Sequence, residues 1–86
     1  MQGPLVLLTT ADTEILAAAH AQGSLPAGFH DVRCANPVAQ PERAWAVIGD
    51  RPAAVVCRLL GGRRAWPEGV TRLRQQSIAE RWPLRQ

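Results

Sequence analysis

Two short apolar runs without polar alternation dominate the pattern of this chain: Leu5-Val6-Leu7-Leu8, and the longer stretch from Ala53 to Leu60, A-A-V-V-C-R-L-L, interrupted only by Arg58. Runs of this kind mark strands covered on both faces, and such strands belong to parallel sheets layered between helices. The segments between and after them carry helix signals, so strand and helix patterns alternate at short spacing. That alternation predicts an α/β fold with a short parallel sheet.

Thr9-Thr10-Ala11-Asp12 ends the first run. Asp12 or Thr13 is expected to cap a helix through Ile15, Leu16 and Ala19, with Gly23 just past its end. Ser24 to Gly28 reads as a loop. Asp31 to Ala35 reads as a second strand near a sheet edge, because of its charges, and Asn36-Pro37 breaks it. Pro41 suits the start of a second helix with Trp45, Val47 and Ile48 on its apolar side, closed by Gly49-Asp50. Ala53 to Leu60 is expected to be the central strand. Gly61-Gly62-Arg63-Arg64 then forms a turn. Pro67 and Glu68 suit the first turn of a third helix, with Val70, Leu73, Ile78 and Trp82 near helical spacing and Pro83 as its stop. Leu84-Arg85-Gln86 reads as the stub of a fourth strand.

The order is β-α-β-α-β-α. Right-handed crossovers are the strong default. They give a small flavodoxin-like or Rossmann-like unit with sheet order 2-1-3, interrupted before or within a fourth strand. Strands one and three then lie side by side. The turns after them, Thr9 to Asp12 and Leu60 to Arg64, meet at one crevice, the place where open α/β sheets bind ligands.

With 86 residues, the chain supports one small domain. A domain of this size buries only roughly 60–65% of the surface its unfolded chain exposes. A hydrophobic content of 47% is too high for a disordered chain. The net charge is +3, and all ten basic residues are Arg, seven of them from Arg58 onward. An all-Arg composition points to a GC-rich genome rather than to a nucleic-acid surface. The Arg-rich third helix also lacks interleaved aromatic residues, so nucleic acid is not an expected partner. Cys34 and Cys57 stand far apart with no C-x-x-C spacing, as small hydrophobes in a reducing compartment. The run at Pro4–Leu8 is too short to cross a bilayer and lacks the flanks of a signal peptide, so the expected location is cytoplasmic.

Several residues could carry binding. Gly61-Gly62-Arg63-Arg64 could hold an anion through backbone N–H groups and guanidinium forks, or be a plain turn with solvated arginines. It is neither a Walker A loop nor a G-x-G-x-x-G fingerprint. Arg58 could reach the crevice or a partner domain, or pair with Asp12 or Asp50. Thr9, Thr10 and Asp12 could line the crevice or cap the helix. Trp45, Trp66 and Trp82 could anchor a partner or fill the core, with Trp66 the best interface candidate. His20 and His30 have no carboxylate or thiol pattern around them, so no metal site is expected. The sheet edges imply dimerisation of the isolated chain, or packing against the rest of a longer one.

Three segments resemble the start of the cobaltochelatase large subunit, the CobN type: L-V-L-L-T-T-A-D-T-E-I-L-A-A-A at 5–19, L-P-A-G-F-H-D-V-R-C-A-N-P at 25–37, and V-V-C-R-L-L-G-G-R-R-A-W-P-E-G-V-T-R-L at 55–73. R-L-L-G-G-R-R-A-W is the most specific part. The resemblance implies an ATP-dependent metal–nitrogen ligase of aerobic cobalamin biosynthesis. Its large subunit binds the tetrapyrrole and inserts Co²⁺ into hydrogenobyrinic acid a,c-diamide, while two AAA+ partner subunits hydrolyse ATP with Mg²⁺. The implied partners are the remainder of the large subunit, the AAA+ subunits and the corrinoid. The family's subunit is many times longer and its metal-insertion region lies beyond this segment. No catalytic residue carries over, and no cofactor is expected on the segment itself. The isolated chain is expected to lack chelatase and ATPase activity. The alternatives are a segment of the related magnesium-chelatase type, and a stand-alone non-enzymatic module binding a partner subunit or an anionic ligand.

Overall fold

The computed structural model describes residues 3–24 and 31–86, with only the backbone described over 21–24. The elements run β1 (Leu5–Thr9), α1 (Asp12–Ser24), β2 (Val32–Ala35), α2 (Pro41–Ile48), β3 (Ala54–Arg58), a 3-10 turn (Gly62–Ala65), α3 (Pro67–Glu80) and β4 (Leu84–Arg85). The four strands form one parallel sheet in the order β2-β1-β3-β4. This is the α/β architecture read from the sequence, and the fourth strand pairs with β3 through Val55–Leu84 and Val56–Arg85. The loop expected at 25–28 and His30 lie outside the described residues.

The direction of the crossovers settles the layers. The chain moves one way from β1 to β2 and the other way from β2 to β3 and β4. Right-handed connections therefore place α1 on one face and α2 with α3 on the other. Val6, Leu8, Val55 and Cys57 pack under α2 and α3 in a single buried cluster with Ala35, Ala44, Ile48, Leu73 and Trp82. No side chain described on α1 is fully buried. So β1 is not sealed on both faces as its apolar run suggests: Leu7 is half-buried and Leu5 is exposed.

Helix boundaries follow local chemistry. Pro41 and Pro67 open α2 and α3, where a missing N–H is no loss. Asn36 Oδ1 accepts from the N–H groups of Val38 and Ala39, turning the chain out of β2. Four expectations change. Helix α1 runs through Gly23 to Ser24 instead of stopping before it. Neither Asp12 nor Thr13 caps it: the Thr9 hydroxyl accepts from the Ala11 N–H, and the Ala11 carbonyl accepts from Glu14. Helix α3 ends at Glu80, before Pro83, with Arg81 in the left-handed region at φ 60° and Trp82 folded back into the core. Ile78 is 80% exposed rather than on the buried side.

Trp66 packs on Trp45 with ring centroids 5.4 Å apart, and Arg72 stacks over Trp45 at 4.0 Å. Gly69 makes room for this: a Cβ there would fall 1.9 Å from the Trp66 ring. Trp66 is thereby held against the core and is absent from the walls of the crevice. It remains half-buried, so the structure places it beside the turn but outside the cavity.

Candidate functional site

Strands β1 and β3 end beside each other, and their following turns are tied together. The Thr10 N–H donates to the Arg58 carbonyl at 3.2 Å, and the Leu60 N–H donates to the Thr10 hydroxyl at 2.8 Å. Above this junction lies a cavity of about 310 Å³ whose walls include Thr9, Glu14, Cys57, Arg58, Gly62 and Arg63. It sits where the strand order reverses, at the carboxyl ends of the strands.

Its polar wall is a three-residue cluster. Thr9 and Arg58 occupy matched register positions on β1 and β3, so both project toward α1. Glu14 lies in the first turn of α1. Its two carboxylate oxygens are divided between them: Oε1 accepts the Thr9 hydroxyl at 2.6 Å, and Oε2 meets Arg58 at 2.7 Å. Thr9 is buried, so its hydroxyl has to be satisfied locally. The cluster ties the largely exposed Arg58 to Glu14 at the rim.

The opposite wall is the Gly-Gly turn. Gly61 and Gly62 both take positive φ, 86° and 69°, which lets the chain leave β3 and wind at once into the 3-10 turn. Arg63 and Arg64 follow, both exposed, and Arg63 reaches the cavity wall. The only ion pairs among the described residues are Arg58–Glu14 and Arg33–Asp31. Arg63 is thus an uncommitted guanidinium beside apolar walls from Leu59, Leu60 and Val70. That arrangement can accept a small anion, with an apolar body lying against the strand ends. Burial pushes the Cys57 thiol in the inner wall up to about 11, so it stays protonated and serves as packing.

Of the residues singled out by sequence, Arg58, Gly62 and Arg63 line the cavity, and Gly61 shapes its turn. Thr10 braces the two turns through its hydroxyl. Asp12 and Arg64 are exposed and neither lines the cavity. Arg58 pairs with neither Asp12 nor Asp50. Glu14 is the residue that sequence reasoning missed, and the available signal was a carboxylate one turn into the helix that follows β1. Among the described residues, no group of three or more His, Cys, Asp or Glu side chains could hold a metal ion. No helix among them is long and apolar enough to cross a membrane. No family model, curated protein or solved structure matches this chain.

Proposed function

We propose that this chain is the N-terminal α/β unit of a cobaltochelatase large subunit, the subunit that inserts Co²⁺ into hydrogenobyrinic acid a,c-diamide with ATP hydrolysed by AAA+ partners. One observation carries the proposal. The most specific part of the family resemblance, residues 58–66, wraps the carboxyl end of β3, and Arg58, Leu59, Leu60, Gly62 and Arg63 of it line the cavity at the point where the strand order reverses. The left-handed Gly61 and Gly62 turn the chain there, and the exposed Arg63 that follows brings its guanidinium to the cavity wall. In this reading the unit offers Arg63 to a carboxylate on the corrinoid rim, and metal insertion belongs to the rest of the subunit.

The experiment is a titration of the purified chain with hydrogenobyrinic acid a,c-diamide, followed by Trp fluorescence. The control is the double variant Arg63→Ala/Arg64→Ala. Saturable quenching that the double variant loses is the expected result. A folded sample that shows no response sinks the assignment of this cavity to the corrinoid.

A stand-alone binding module for an anionic ligand is the second reading. It is favoured by the completeness of the cavity, whose polar wall of Thr9, Glu14 and Arg58 needs no residue from elsewhere. Quenching by simple polycarboxylates as strong as that by the corrinoid would select it.

A further inference from the structure

We infer that Glu14 is a specificity-determining residue: it fits the cavity to a ligand carrying one carboxylate beside a neutral donor of the primary-amide type, and it rejects the dicarboxylate. This deepens the reading of the cavity as an anion site and rests on it.

The free groups of the wall fix the charge of the ligand. Three charged side chains line the cavity: Glu14, Arg58 and Arg63. Arg58 is taken by Glu14 Oε2 at 2.7 Å, so Arg63 is the one unpaired cation of the wall among the described residues. The neighbouring donors are already spent. The Gly62 N–H donates to the Leu59 carbonyl at 3.0 Å, and the Leu60 N–H donates to the Thr10 hydroxyl at 2.8 Å. The Thr9 hydroxyl donates to Glu14 Oε1 and accepts from the Ala11 N–H. The cavity therefore has one strong place for an anion, at Arg63.

Glu14 decides what stands beside that anion. Each of its carboxylate oxygens is engaged once within the protein and keeps room for a second donor. Its side chain is 28% exposed and lies in the cavity wall, so a ligand can reach that second position. An amide N–H can donate there. A second carboxylate cannot, because it would lie against Glu14 as a like charge that water only partly screens. Nor can it recruit Arg58 without loss, since drawing Arg58 away leaves Glu14 unpaired beside the incoming charge. Leu59, Leu60 and Val70 receive the carbon chain between the two polar ends, and about 310 Å³ holds a small ligand of this kind.

The test uses the isotopically labelled full chain with succinamate and succinate at neutral pH, two four-carbon probes that differ in a single amide, followed by amide chemical shifts. The expected result is saturable shifts at Leu60, Gly62 and Arg63 with succinamate, with succinate about tenfold weaker. The discrimination should shrink in high salt. Glu14→Gln removes the repelling charge and frees Arg58, so it should reverse the order. Arg58→Met leaves Glu14 without its cation and should widen the gap. Damage to the fold does not move the preference in opposite directions in two variants. Equal binding of the two probes, or an order that Glu14→Gln leaves unchanged, overturns the role of Glu14 while the cavity stands as an anion site. Succinamate binding that survives Arg63→Ala, or no shift from either probe at tens of millimolar, overturns the anion site and this inference with it.

Discussion

Alternate residues of the same strands build two very different surfaces. Val6, Leu8, Val55 and Cys57 face α2 and α3 and are buried there with Leu73 and Trp82. Their immediate neighbours face α1, which packs mainly on β2 and β1, and on that face Leu5 is 38% and Val56 37% exposed. One face holds the molecule together. The other gathers its polar groups at the strand ends, where Thr9, Glu14 and Arg58 meet. In this chain the apolar core and the polar cluster lie on opposite sides of one sheet, with the cavity at the end where the two sides join.

The largest test of that division pairs two truncations. Leu73 has no exposed surface, so Leu73→Ala loses its transfer free energy and leaves a cavity, together about 3–5 kcal/mol. A domain of this length has a total stability of only roughly 4–13 kcal/mol, so the variant should be close to unfolding. Val56→Ala on the other face should cost less than about 1 kcal/mol. Urea denaturation of both variants measures the contrast. A Val56→Ala loss as large as that of Leu73→Ala would mean the second face is covered in solution, and the asymmetry would fail.

The two thiols sharpen the same comparison. Cys57 sits on the closed face, where burial pushes its thiol up to about 11. Cys34 faces the α1 side on edge strand β2; desolvation raises it and the nearby Arg43 charge opposes that rise. In the unfolded chain a thiol titrates near 8.5. The Cys57 contribution is therefore fully present below about pH 8.5 and is lost as pH rises towards 11, to a total on the order of 3 kcal/mol. Two outcomes are expected at pH 8 to 10. Iodoacetamide should modify Cys34 first, and the urea midpoint should fall with pH less steeply in Cys57→Ala. Faster modification of Cys57 than of Cys34 in the folded protein would show that the closed face opens readily.

Strand order and helix starts were legible in the sequence because single residues announce them: apolar runs for β1 and β3, and prolines at 41 and 67 for α2 and α3. The Gly61-Gly62 turn and the approach of the two crevice turns were legible for the same reason. Side-chain partners were less so. Ile78 lies five residues after Leu73, which carries it about 140° around the helix from the buried stripe, so proximity in sequence misled. Trp82 reaches the core only because Arg81 adopts a left-handed conformation, which no arginine signals in advance. The packing of Trp66 on Trp45 was hidden because it depends on Gly69 leaving space for the Trp66 ring. The partner of Arg58 depended on where α1 begins. With Thr9 turning the chain and Asp12 as the first helical residue, Glu14 is the carboxylate that points back over the sheet, while Asp12 is left exposed.

The smallest effect concerns that pair. The Arg58 side chain is 65% exposed and Glu14 28%, so water screens their attraction despite the 2.7 Å separation. Exposed pairs contribute about 0.2–1 kcal/mol. Glu14→Gln keeps an acceptor for the Thr9 hydroxyl and removes only the charge, so the expected loss is about 0.5–1 kcal/mol. A double-mutant cycle with Arg58→Met isolates the pair term, which should shrink in high salt. A coupling of 3 kcal/mol or more, insensitive to salt, would mean that the polar end is as tightly enclosed as the core. The α1 face would then have to be sealed by something that also excludes water from Glu14, and the contrast between the two faces would belong only to the chain taken alone.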